Sequence, residues 1–62
     1  MYKNNSTRFG QIGIEADKEV FLELIKNWDR EEADRLDLPL LPDGEIEEEF
    51  KNAIRDGEII EL

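Results

Sequence analysis

Residues 17–36, Asp-Lys-Glu-Val-Phe-Leu-Glu-Leu-Ile-Lys-Asn-Trp-Asp-Arg-Glu-Glu-Ala-Asp-Arg-Leu, decide the fold. Val20, Phe21, Leu24, Ile25 and Trp28 recur at i, i+1, i+4, i+5 and i+8 and fill one arc of a helix. Asp17 stands where an N-cap belongs, and Glu19 suits the positive end of the helix dipole. Past Trp28 the same arc meets Glu31, Glu32 and Arg35, so the helix leaves the core there. The i, i+4 pairs Arg30 with Asp34 and Glu31 with Arg35 then support a helix from 17 to 36 whose last two turns are exposed.

The chain cannot stay helical through Leu38-Pro39-Leu40-Leu41-Pro42, because each proline lacks an amide donor and drives its predecessor to extended geometry. Asp43-Gly44 opens a second helix in which Ile46, Phe50, Ala53 and Ile54 form an apolar stripe, while Glu48, Glu49, Asn52 and Arg55 face away. Gly57 is its C-cap, and Glu58-Ile59-Ile60-Glu61-Leu62 reads as a short strand or a segment packed across the helices.

Before the first helix, residues 1–7 are polar and without period, which predicts a flexible lead-in. In 8–14, Phe9, Ile12 and Ile14 with Gly10 and Gly13 between them predict a strand bulged near Gly10. The expectation is a small α+β domain over 8–62 in β-α-α-β order, a helical hairpin packed beside a short two-stranded ribbon made from the chain's two ends. Its candidate core comprises Phe9, Ile12, Ile14, Val20, Phe21, Leu24, Ile25, Trp28, Leu36, Leu38, Leu40, Leu41, Ile46, Phe50, Ala53, Ile54, Ile59, Ile60 and Leu62. Sixty-two residues build a thin core, and with neither Cys nor His there is no disulfide or histidine-based metal site to brace it, so a homo-oligomer suits the chain as well as a monomer.

Charge is the main functional lead. All seventeen Asp and Glu lie at or after Glu15 against six Lys and Arg, which gives that segment −11, while Lys3 and Arg8 make residues 1–14 +2. Such a surface repels phosphate backbones and anionic membranes and attracts cationic partners. Neither direct nucleic-acid binding nor membrane association is expected. A ribbon-helix-helix DNA binder shares the β-α-α order and would turn Arg8 and Gln11 outward, yet one Arg against −11 elsewhere cannot supply the phosphate contacts. No charged-then-apolar leader and no long apolar run are present, so a cytoplasmic location is expected, the host cytoplasm if the chain is phage-encoded.

Catalysis is disfavoured by the side-chain inventory. The usual general base and thiol nucleophile are absent, and the hydroxyls of Tyr2, Ser6 and Thr7 all fall in the polar lead-in. An acid–base carboxylate pair is the one catalytic set that composition allows, and so short a domain offers no evident cleft for a sugar. Glu45, Glu47, Glu48 and Glu49 lack the loop spacing of a calcium site and are explained by the helix dipole and solvation. No catalytic, metal or cofactor-binding residue is expected, and the chain reads as a non-enzyme.

Two uses of the acids remain. They keep a small domain soluble, or they stand in for phosphates in the nucleic-acid groove of a basic protein. The candidates for partner binding are Asp29, Glu31, Glu32, Asp34 and Asp37 on the projecting half of the first helix, with Glu45, Glu47, Glu48 and Glu49 on the second. Trp28 and the 38–42 connector could anchor an interface, though they are more simply core. In size, acidity and want of catalytic groups the chain is similar to the small nucleic-acid-mimicking inhibitors that phages direct against host nucleases and CRISPR effectors, a likeness of composition. The reading is therefore an acidic, non-enzymatic inhibitor of a basic nucleic-acid-binding protein. The alternatives are an antitoxin or immunity protein that neutralises a basic toxin, in which a shaped apolar contact matters more, and a structural or regulatory homo-oligomer subunit.

Overall fold

The computed structural model describes all 62 residues. Strand β1 (Tyr2–Asn4) and a short β2 (Glu15–Ala16) precede helix α1 (Lys18–Leu36), helix α2 (Asp43–Arg55) and strand β3 (Ile59–Glu61). The strands form an antiparallel sheet in the order β2-β1-β3, with Tyr2 opposite both Ala16 and Glu61. The α+β architecture holds, with the helical hairpin beside a sheet that joins the chain's two ends. The sheet has three strands, and its central one lies where a flexible lead-in was expected.

Burial alternation explains that correction. Tyr2 turns inward, its ring 5.1 Å from that of Phe50 and 6.4 Å from that of Phe21, while Lys3 faces out and Asn4 is fully buried. A polar Asn at an inward position hides so short a strand from any hydrophobic count. Asn4 is buried because it organises the next segment. Its amide donates to the Ile14 carbonyl (2.8 Å), its carbonyl accepts from Gly13 N–H (2.8 Å), and its Nδ2 donates to the Gln11 carbonyl (2.9 Å). Residues 8–14 are therefore a loop folded over Asn4 rather than a bulged strand. Gly13 sits at φ +97, a conformation that side-chain-bearing residues rarely adopt. Phe9 alone from this loop is buried, and Ile12 is left in solvent.

The buried residues of α1 are Phe21, Ile25, Asp29 and Ala33, spaced by four. Each such step advances about 40° around a helix of 3.6 residues per turn, and the Val20–Leu24–Trp28 row one position before it advances alike, so the two rows run side by side. Val20 is exposed at the start of α1, Leu24 and Trp28 are half-buried against the core, and the last two turns remain partly in the fold through Asp29 and Ala33. Neither i, i+4 ion pair expected there forms; Arg35 instead bonds Glu32 at i−3. Asp17 has the extended backbone of an N-cap but no side-chain capping bond.

Helix α2 buries Ile46, Phe50 and Ala53, with Ile54 half-buried. Phe9, Phe21, Ile25, Ile46, Phe50, Ala53 and Ile59 form the core, and Tyr2, Ala16, Leu22, Leu24, Trp28, Leu41 and Ile54 pack against it. Of the expected core, Ile12, Val20, Leu36, Leu38, Leu40, Ile60 and Leu62 are exposed. Both helices end in the same hydrogen-bonded turn. Leu38 N–H donates to Ala33 O (2.9 Å) past a left-handed Asp37 at φ 54, and Glu58 N–H donates to Ala53 O (2.8 Å) past a left-handed Gly57 at φ 80.

Candidate functional site

The nine acids singled out by sequence do not form one surface. Four of them are engaged in holding the molecule together. Asp29 is 8% exposed, and its Oδ2 accepts a hydrogen bond from Leu41 N–H at 3.0 Å. The helix carboxylate thus ties down the proline-flanked connector, which has few other donors to offer. Asp29 is a fold residue and leaves the candidate interface.

Glu49 also departs from its expected outward position. It accepts from Arg8 Nη2 at 2.9 Å, while Arg8 Nη1 donates to Glu58 at 3.0 Å. The Arg8 guanidinium lies 4.5 Å from the centre of the Trp28 ring and 4.8 Å from that of Phe9, and those two rings meet edge to face at 5.5 Å. One cation therefore joins the 5–14 loop, α1, α2 and the residue that leads into β3. Arg8 does not present itself to a nucleic acid. Trp28 is half-buried in this clamp and is not a free anchor. Glu32 is held by Arg35, and Glu47 reaches Lys18 at 3.6 Å.

Glu31, Asp34, Asp37, Glu45 and Glu48 are exposed and make no ion pair. Glu45 lies in the first turn of α2, where the dipole favours it, and Glu48 lies in the second. Glu31, Asp34 and Asp37 share one feature of the surface, an open groove of about 570 Å³ between the end of α1 and the connector, whose other lining residues are Arg30, Ala33, Leu38 and Leu40. Glu31 and Asp34 are one turn apart on α1, a rise of about 4.5 Å against about 3.4 Å per phosphate of a nucleic-acid strand, and Asp37 lies just past the helix end.

By sequence the 38–42 connector, which gives the groove its apolar wall, could anchor an interface, though its leucines are more simply placed in the core. Leu38 and Leu40 are two apart in an extended segment, which puts them on one side and Leu41 on the other. Leu41 takes the inner side against the core, and Leu38 and Leu40 take the outer. No grouping of three or more acids has the arrangement of a metal site. No helix is long and apolar enough to cross a membrane. No family model, curated protein or solved structure matches the chain.

Proposed function

We propose that this protein is a non-enzymatic inhibitor that binds a basic nucleic-acid-binding protein and presents the carboxylates at the end of α1 where that partner takes phosphates. The observation that carries the reading is the division among the acids. Those near Arg8, Lys18, Lys26 and Arg35 have an internal cation, and among the acids that make no ion pair Glu31, Asp34 and Asp37 are the ones that line a common groove. Unneutralised carboxylates on adjacent turns repel one another by a few tenths of a kcal/mol per pair, a cost that an external cationic surface removes. Glu45 and Glu48 add to the field that steers such a partner.

The alternative of an antitoxin-type contact is favoured by the leucines beside those acids, since an interface of that kind draws affinity from desolvated apolar anchors. Salt separates the two. Capture of partners from a nuclease-treated lysate, followed by elution in rising salt and by competition with single- and double-stranded nucleic acid, is the test. A basic protein released by both agents supports the mimic; a partner that resists both supports the antitoxin-type reading and refutes the mimic.

A further inference from the structure

We infer that the groove between the end of α1 and the 38–42 connector is a docking site for a short cationic amphipathic helix of the partner, read through leucines as well as carboxylates. The inference rests on the proposed function for the sign of the partner's charge and adds the shape and the apolar component of what it presents. Leu38 and Leu40, which line the groove, are 57% and 61% exposed. Apolar side chains clustered on a small surface and rimmed by charge mark a place where another surface sits.

The leucines are also held in place. Pro39 and Pro42 restrict the connector, the Asp29 carboxylate fixes it at Leu41 N–H, and the hydrogen-bonded turn at Asp37 fixes where it leaves α1. A groove fixed in this way loses little conformational entropy when occupied. From Arg30 to Leu36 the groove follows α1 for about 9 Å, the length of rather less than two turns of a docked helix, which suits recognition through anchors at i and i+3 or i+4.

Charge decides the occupant. Glu31, Asp34 and Asp37 against Arg30 leave the lining at −2 on a chain of −9, so a second copy would bring like charges together at the moment it covered the leucines. A helix with Arg or Lys flanking its apolar anchors meets both features. Arg30, which has no acidic partner within the chain, supplies the one cation of the lining and orients a carboxylate at one end of such a helix.

The test uses two synthetic peptides of about fourteen residues with identical Leu, Arg and Ala content. In one the leucines share a helical face; in the other they are scattered. Each is titrated into the full chain labelled at leucine methyls, alongside the L38S/L40S variant, whose fold is checked by circular dichroism. The expected result is shifts at Leu38 and Leu40, at least tenfold tighter binding of the amphipathic peptide, and loss of that preference in L38S/L40S. Equal binding of both peptides, with shifts spread over the acids of α2, overturns the inference while leaving the electrostatic reading intact. A chain that doubles its mass on concentration, and loses this in L38S/L40S, assigns the groove to a second copy and also overturns it. No binding of either peptide overturns both the inference and the cationic-partner reading.

Discussion

Two patches of the molecule use the same residue types for opposite purposes. Where the 5–14 loop crosses the middle of both helices, Glu49 and Glu58 close on Arg8, which stacks on Phe9 and Trp28. Where α1 runs into the connector, Glu31, Asp34 and Asp37 face solvent beside Leu38 and Leu40 and make no ion pair, with Arg30 the one cation of the lining. The first patch satisfies its charges internally. The second leaves both charge and apolar surface unsatisfied, and the proposed partner site rests on that contrast. Net acidity alone does not separate these regions; pairing does.

The comparison is most severely tested at Arg8. Arg8→Ala removes two partly exposed ion pairs and two ring contacts and leaves Glu49 and Glu58 without their shared cation, for an expected loss of about 2 kcal/mol in urea unfolding. Stability within about 0.5 kcal/mol of the parent would show that the clamped patch is not clamped. Asp29→Ala is expected to cost about 1–2 kcal/mol by orphaning Leu41 N–H, and Asp29→Asn, which keeps an acceptor oxygen, less than half of that. Equal losses in the two variants would mean that the carboxylate's charge, not its hydrogen bond, holds the connector.

The helix ends sharpen the contrast further. Asp37 and Gly57 occupy equivalent left-handed positions, and only the second is the residue type that adopts them without strain. An acid at a helix C-terminus also opposes the dipole. Asp37→Gly is therefore expected to raise stability by about 0.5–1 kcal/mol in thermal melts, and Gly57→Ala to lower it by about 1 kcal/mol. Should Asp37→Gly bring no gain, the stability argument for keeping Asp37 for binding is lost. The smallest effect is expected for L38S/L40S, whose melting should match the parent within about 0.5 kcal/mol because both side chains already lie in water.

Much of this division was illegible in the sequence, and particular residues show why. The helices were readable because Phe21, Ile25, Ile46, Phe50 and Ala53 carry their period in type alone, and β3 because two isoleucines follow the Gly57 cap. Strand β1 was not, since one inward aromatic and one inward Asn leave no alternation to count. Asn4, polar by type yet fully buried, has its reason in the loop it organises, which is a long-range fact. The site failed in both directions for a similar reason. Asp29 and Glu49 look like surface acids until the positions of Leu41 N–H and Arg8 are known, and Leu38 and Leu40 look like core until the connector shows which side they take. Composition reports how many charges and leucines there are, while their partners are set by packing.

The measurement that bears most directly on the account compares two charge-matched variants as bait for the partner. E31Q/D34N/D37N neutralises the groove, and E15Q/E19Q/E61Q neutralises three exposed, unpaired acids elsewhere; each removes three negative charges and brings the net charge from −9 to −6. The account predicts that partner retention at moderate salt falls at least tenfold for the first and less than twofold for the second, with both folded by circular dichroism. Equal loss in the two variants would contradict it, and would mean that the partner responds to total charge and that the open end of the hairpin has no special role.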